Sequence, residues 1–323
     1  MNDFENKTIL VTGGSGSFGQ KFSEILLKEY KPKSIRIYSR GELLQVQMEQ
    51  KFNDERLRFF IGDVRDEKRL NRAMSGADIV VHAAALKHVP ACEYNPLEAV
   101  KTNIEGTANL VNSAIDNEVE KVMLISTDKA VHPVNLYGAT KMVAEKLIIQ
   151  GNSYTGEKNT RFSCVRYGNV IGSRGSVIPV FKEQMKSGVI TITDERMSRF
   201  WITLDQGVRF VIRSIEQMTG GEIFVPKIPS MKLTDLAEAI APHIKKQFVG
   251  IRPGEKLHEV LLTEDEARHA FEYDDHFIIT PEHVYWKTEK INYSGKMLPD
   301  SFRYSSNTNT NWLSIANLRN IIN

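Results

Sequence analysis

Three glycines at a fixed spacing, Gly13, Gly16 and Gly19, follow the β-branched run Thr8–Val11 and open the helix-like segment Phe18–Tyr30. A chain that turns this way from strand to helix bares backbone N–H groups at a helix start, where the helix dipole favours negative charge. The GxxGxxG pattern alone is common. Its place between strand and helix is what predicts a pyrophosphate-binding turn. The alternation then continues, with candidate strands at Ser34–Tyr38, Arg58–Ile61, Ile79–His82, Lys121–Ile125 and Phe162–Tyr167 and a helix-length segment at Leu97–Asn117. Short apolar runs between amphipathic helices predict an α/β fold, a doubly wound parallel sheet covered on both faces.

From about Ile171 the pattern is less regular, with turn signals at Ser173-Arg174-Gly175, Gly220-Gly221 and Pro226 and helical candidates at Leu204–Met218 and Lys232–Ala241. Residues 1–170 are therefore expected to form a Rossmann nucleotide-binding domain that also carries the chemistry. Residues 171–323 are expected to form a smaller substrate-binding lobe with segments interleaved with the sheet. The tail Ser301–Asn311 is polar enough to be disordered, while Trp312, Leu313 and Ile315 after it offer an anchor.

Composition narrows the partners. Lysine and arginine number 42 against 40 acidic residues, so no charge excess calls for nucleic acid or an anionic membrane. Cys92 and Cys164 stand far apart without a CxxC or a histidine-rich companion, which argues against a disulfide scaffold and against a metal site. No cleavable leader precedes the first strand, and the run Ile79-Val80-Val81 is broken by His82. The chain reads as cytoplasmic.

The second candidate strand ends Tyr38-Ser39-Arg40, with no acid until Glu42. An NAD enzyme would place a ribose-binding acid near this point, whereas the Ser39 hydroxyl and Arg40 guanidinium suit a 2′-phosphate, so NADP is favoured. Asp63-Val64 fits an adenine-edge contact, or Asp63 caps the next helix. Farther on, Tyr137-Gly138-Ala139-Thr140-Lys141 is a YxxxK whose spacing puts both ends on one helix face. A nearby ammonium favours the phenolate and equips the tyrosine as a base. It lies ten residues after Thr127, at the carboxyl end of the fifth strand, where such sheets bind ligands. Asp128 and Lys129 follow Thr127 directly. An acid beside a base suits elimination of water next to a carbonyl; a salt-bridged helix cap accounts for the pair equally well.

At these residues the chain resembles a known family. VTGGSGSFG (11–19), FFIGDVRDEKRL (59–70), HAAALKHVPACEYNP (82–96), STDKAVHPVNLYGATK (126–141), RYGNVIGSRGSVIPVF (166–181) and RPGEKLHE (252–259) look like the inverting UDP-N-acetylglucosamine 4,6-dehydratases. These are extended short-chain dehydrogenases that open the pseudaminic acid pathway for flagellin glycosylation. The resemblance implies NADP contacts at Gly13, Ser15, Gly16, Ser17, Phe18, Gly19, Ser39, Arg40, Asp63, Val64, Ala83, Ala84, Tyr137 and Lys141. It implies that Tyr137, supported by Lys141 and Thr127, takes the C4 hydroxyl proton, that Lys129 takes the C5 proton and that Asp128 protonates the leaving C6 hydroxyl. For the UDP-N-acetylglucosamine substrate it suggests Lys87, Asn169, Ser176, Val177, Ile178, Arg199, Arg252 and Glu255, and for assembly a closed homo-oligomer, a hexamer being the form suggested. His82 and His88 are expected to be structural. One departure is Gly41, where relatives carry an acid after the second-strand arginine. A related capsule branch has methionine at the Tyr137 position. The alternatives are a UDP-sugar 4-epimerase and a retaining dehydratase.

Overall fold

Apolar strands that pair in parallel need cover on both faces, and the central strands here are buried along most of their length. The computed structural model describes residues 3–172, 177–286 and 293–322. Six parallel strands, β1 (Thr8–Thr12), β2 (Ser34–Ser39), β3 (Leu57–Ile61), β4 (Ile79–His82), β5 (Lys121–Thr127) and β6 (Arg161–Tyr167), lie in the order β3-β2-β1-β4-β5-β6. The order reverses between β1 and β4, which opens a crevice at their carboxyl ends. Helix α1 (Ser17–Glu29) leaves β1 through the glycine turn. A β-carbon on Gly19 would stand 2.2 Å from the Gly14 carbonyl oxygen, so only glycine lets this helix seat against the turn.

Residues from the second half complete the same sheet. Ile223–Pro226 joins β6 in parallel, and His276–Ile279, Ala270–Glu272 and Lys296–Met297 extend that edge in antiparallel fashion. The rest gathers around a second apolar cluster containing Phe181, Trp201, Met231, Leu236 and Leu318. A three-stranded sheet, Ser230–Lys232, Ser198–Thr203 and Asn169–Ile171, runs beside it. The polar tail is ordered: Tyr304–Ser305 pairs with Val260–Leu262, the Tyr304 hydroxyl donates to the Ile228 carbonyl at 2.8 Å, and Leu313 and Ile315 pack against the second cluster.

Two departures from the expected elements bear on the site. β5 runs two residues past Ile125, so Ser126 and Thr127 are strand residues. The segment expected as one helix over Leu97–Asn117 is broken: Pro96–Val100 and Gly106–Asp116 are α-helical, and Lys101–Glu105 between them is a π turn. The wider turn lets Asn103 face inward, where its side chain clamps both backbone groups of Leu86 (2.8 and 2.9 Å) and donates to the Thr140 hydroxyl at 2.9 Å. π turns of this kind recur beside functional sites.

Candidate active site

The glycine turn presses on the end of β4. Gly13 has φ +67°, and a β-carbon there would stand 2.9 Å from the Ala84 nitrogen. Bare backbone thus lines the crevice at Gly13, Gly16, Ala83 and Ala84, a shape that fits a pyrophosphate and excludes a side chain. Ser15 hydrogen-bonds Ser39 at 2.9 Å across the two strand ends. Phe18 stacks on Phe22 at 5.7 Å and is committed to α1, while Ser17 starts that helix.

Helix α2 (Glu42–Phe52) starts from Gly41, whose lack of a side chain leaves the cap without a hydrogen bond. Its Gln45 is buried and donates to the Ser39 hydroxyl at 2.9 Å and to the Ser39 and Phe60 carbonyls at 3.0 Å. A neutral amide therefore braces the end of β2. Arg40 is 58% exposed, and its nearest acid, Asp63, is 3.9 Å away. Asp63 does not cap the next helix: α3 (Glu67–Met74) is capped by Asp66, which accepts from the Arg69 N–H at 3.0 Å. Asp63 instead accepts from Arg65, and its backbone carbonyl takes the Tyr38 hydroxyl at 2.7 Å. Val64 is buried against Gly106.

Thr127 ends β5, and Asp128–Ala130 form a single 3₁₀ turn. The Thr127 hydroxyl donates to Asp128 Oδ1 at 3.0 Å, and Lys129 Nζ donates to the same oxygen at 2.9 Å. The other oxygen, Oδ2, is buried without a hydrogen-bond partner among the described residues. Asn135 caps the helix Leu136–Gly151, accepting from the Gly138 N–H at 2.8 Å. Tyr137, Lys141 and Glu145 recur every four residues along its inward face, and all three are buried.

Charge in this pocket differs from the expectation in one respect. Burial pushes the Tyr137 phenol up to about 12, while the Lys129 ammonium and the Thr127 hydroxyl pull it partly back. Lys141 points elsewhere: its Nζ donates to the Ile125 carbonyl at 2.8 Å, and burial drives it down to about 8 against the opposing pull of Glu145. Lys129 thus supplies an ammonium that favours the Tyr137 phenolate. Burial alone would lower Lys129, but Asp128 and Glu259 outweigh it and hold it above the usual lysine range. Burial holds the Asp128 carboxyl above its own.

Other expected residues divide. Lys87 lies at the rim and is held down by partial burial and the Lys129 charge. Asn169 Oδ1 and Glu255 Oε2 are buried without hydrogen-bond partners among the described residues, as groups awaiting a ligand would be. Arg252 is exposed, Val177 begins the helix Val177–Lys186, and Ile178 is packed into the second cluster; Ser176 lies outside the described residues. Arg199, expected at a diphosphate, sits beside the segment that carries Glu259. It is buried and donates to the carbonyls of Ser198, Lys256 and Leu257 at 2.8–3.1 Å, which ties two segments together. His82 is wedged between Thr12 (2.7 Å) and Thr107 (3.2 Å), and burial brings it down to about 3, so it is neutral and structural. Lys256 and Glu259, to which the sequence reading gave no role, join the site from a distant segment. Lys256 donates to the Asp128 carbonyl at 3.3 Å, and Glu259 stands 3.5 Å from Lys129.

A β3-β2-β1-β4-β5-β6 sheet, a glycine turn at the reversal and a Tyr–Lys helix beside β5 define a Rossmann fold of the extended short-chain dehydrogenase type. The chain belongs to the polysaccharide biosynthesis protein family, whose sequence model matches residues 9–281. It is 49% identical to the inverting UDP-N-acetylglucosamine 4,6-dehydratase of Campylobacter jejuni strain 81-176, over 99% of this chain and 98% of that protein. It is 43% identical to the UDP-glucose 4-epimerase of Rickettsia conorii, over 85% of this chain and 83% of that protein. Among solved structures, Pen from Bacillus thuringiensis superposes with a TM-score of 0.91 at 42% identity, covering 99% of this chain and 98% of that one. No helix among the described residues is long and apolar enough to cross a membrane.

Proposed function

We propose that this chain removes water across C5 and C6 of UDP-N-acetylglucosamine and inverts C5, giving UDP-2-acetamido-2,6-dideoxy-β-L-arabino-hex-4-ulose. The observation that carries the reading is the Asp128–Lys129 contact of 2.9 Å beside Thr127 and Tyr137, with Asp128 Oδ2 left unpartnered among the described residues. NADP fits the bare-backbone turn at Gly13, Gly16 and Gly19, and the exposed Arg40 beside Ser39 suits its 2′-phosphate. Bound there, it supplies a hydride acceptor for sugar C4 and the donor that returns to C6.

Tyr137 takes the C4 hydroxyl proton, and the Lys129 charge and Thr127 hydroxyl favour the phenolate this requires. Lys129 rests as an ammonium. Moving one proton along its 2.9 Å hydrogen bond converts ammonium and carboxylate into amine and carboxylic acid. The same burial that raises Asp128 lowers the cost of that transfer. The Lys129 amine then removes the C5 proton acidified by the 4-ketone. Asp128 protonates the C6 hydroxyl, which leaves as water, and the ion pair is restored. Reprotonation of C5 by solvent on the opposite face inverts that centre.

In this reading the chain acts in the cytoplasm as a closed homo-oligomer and performs the first step towards pseudaminic acid for flagellin glycosylation. The Rickettsia relative favours a second reading, a UDP-sugar 4-epimerase. Epimerisation at C4 has no use for an acid at C6, and the Asp128–Lys129 pair supports dehydration over it. The test is Lys129→Ala. The variant is expected to keep its fold and its NADP binding while C5–deuterium exchange falls by roughly 10²–10⁴-fold; exchange at the wild-type rate contradicts the assignment.

A further inference from the structure

Glu259 is 2% exposed and belongs to an irregular segment that leads into the strand Val260–Leu262. Its backbone is fixed from both directions: the Glu259 N–H donates to the Ser306 hydroxyl at 2.9 Å, and the Ser306 N–H donates to the Glu259 carbonyl at 2.8 Å. The carboxylate so placed meets three cations. Oε1 lies 3.5 Å from Lys129 Nζ and 3.8 Å from Arg199 Nε, and Oε2 lies 3.5 Å from Lys256 Nζ. Lys256 donates in turn to the backbone carbonyls of Asp128 and Val131, and Asn135 donates to the Gly254 carbonyl at 2.8 Å. The segment is therefore strapped across the turn that carries the acid–base pair.

Charge explains why a carboxylate is needed here. Lys129, Lys256 and Arg199 share the pocket, and Asp128 alone would leave it with two uncompensated cations. Buried charge without a partner is expensive. Burial opposes the Glu259 charge too, yet Lys129, Arg199 and Lys256 outweigh it and keep the carboxyl below its usual range.

We infer that Glu259 is a positioning residue for the proton transfer: it holds the Lys129 amine within reach of Asp128 and carries the counter-charge for the ammonium that forms when Lys129 takes the C5 proton. The inference rests on the dehydratase reading. On it, Glu259 acts after the C4 oxidation and before loss of water, through Lys129 and without touching the sugar.

Glu259→Gln tests this because it keeps shape and removes charge. The variant, with UDP-N-acetylglucosamine in deuterated water, is expected to lose C5 exchange by about 10–100-fold, as a misplaced catalytic group does, with KM held within about threefold. Reduced-nicotinamide absorbance is expected to build up in the steady state, because the C4 oxidation, which Lys129 assists only through its charge on Tyr137, falls less than the C5 exchange. Glu259→Asp is expected to recover part of the exchange. Wild-type exchange in Glu259→Gln overturns the inference, and so does an equal fall in C4 oxidation and C5 exchange, which a merely structural role would give. Should Glu259→Gln lose cooperative unfolding, Glu259→Asp decides instead. Its shorter carboxylate withdraws from Lys129, so exchange must fall at least about fivefold with KM unchanged, and wild-type exchange overturns the inference. A wild-type chain that forms no 6-deoxy-4-ketone removes the dehydratase reading itself; a productive wild type with an unaltered variant sinks the inference alone.

Discussion

A β-carbon on Gly138 would stand 2.1 Å from the carbonyl oxygen of Lys129. The helix that carries Tyr137 thus runs against the turn that carries Asp128 and Lys129 with only backbone between them. Tyr137, Asp128 and Lys129 are held as one unit, and the residue after the tyrosine decides how close they come.

Gly138→Ala is the direct consequence. Alanine favours a helix interior by about 1 kcal/mol over glycine, but here its methyl meets a backbone oxygen that cannot swing away. Overpacking against rigid backbone costs about 1–3 kcal/mol, so a net loss of stability is expected, with a larger fall in turnover as Tyr137 and Lys129 are driven apart. Urea unfolding midpoints and kcat check both. A variant with wild-type stability and activity contradicts the close approach.

Lys141→Met probes a buried lysine with no carboxylate in its first hydrogen bond. In the folded chain Lys141 sheds its proton near about 8, against 10.5 as its ordinary value. Between those values the unfolded chain binds the extra proton, so stability rises with pH across that window. Below it the full penalty applies, roughly 3 kcal/mol, offset by about 1 kcal/mol for the hydrogen bond to Ile125. Lys141→Met is therefore expected to be more stable than wild type at pH 7, with the gap narrowing from pH 8 upward. Urea melts at pH 7 and pH 10 measure it, and a gap that widens with pH contradicts the assignment.

Arg40→Ser addresses the dinucleotide. Charge-assisted hydrogen bonds contribute about 1.5–3 kcal/mol, so the Kd for NADP is expected to rise about 10–100-fold while that for NAD moves less than about twofold. Calorimetric titration with each dinucleotide separates the two. Equal weakening of both would mean that Arg40 does not meet the 2′-phosphate.

What the sequence made legible is local. The glycine turn, the strand ends and the Tyr137–Lys141 spacing are set by neighbours within a few residues, and the structure places them together at the carboxyl ends of β1, β4 and β5. Glu259 and Lys256 were not legible, because their partners Asp128 and Lys129 lie more than a hundred residues earlier and no periodicity links an irregular segment to a turn. Arg199 was legible as a cation and not in its packing. A guanidinium suits a phosphate in any sequence, and only its packing reveals that its two terminal nitrogens donate to the backbone carbonyls of Ser198, Lys256 and Leu257. The break at Lys101–Glu105 was hidden because a π turn adds only one residue to the turn, and Asn103, which it brings inward, is polar and leaves no mark on the apolar pattern.

Proton NMR of the wild-type chain with UDP-N-acetylglucosamine and NADP in deuterated water tests the central claim most directly. The expected product is a 6-deoxy-4-ketone with deuterium at C5 and the L-arabino configuration. A C4-epimerised hexose with its C6 hydroxyl intact, or a ketone that retains protium at C5, would contradict it.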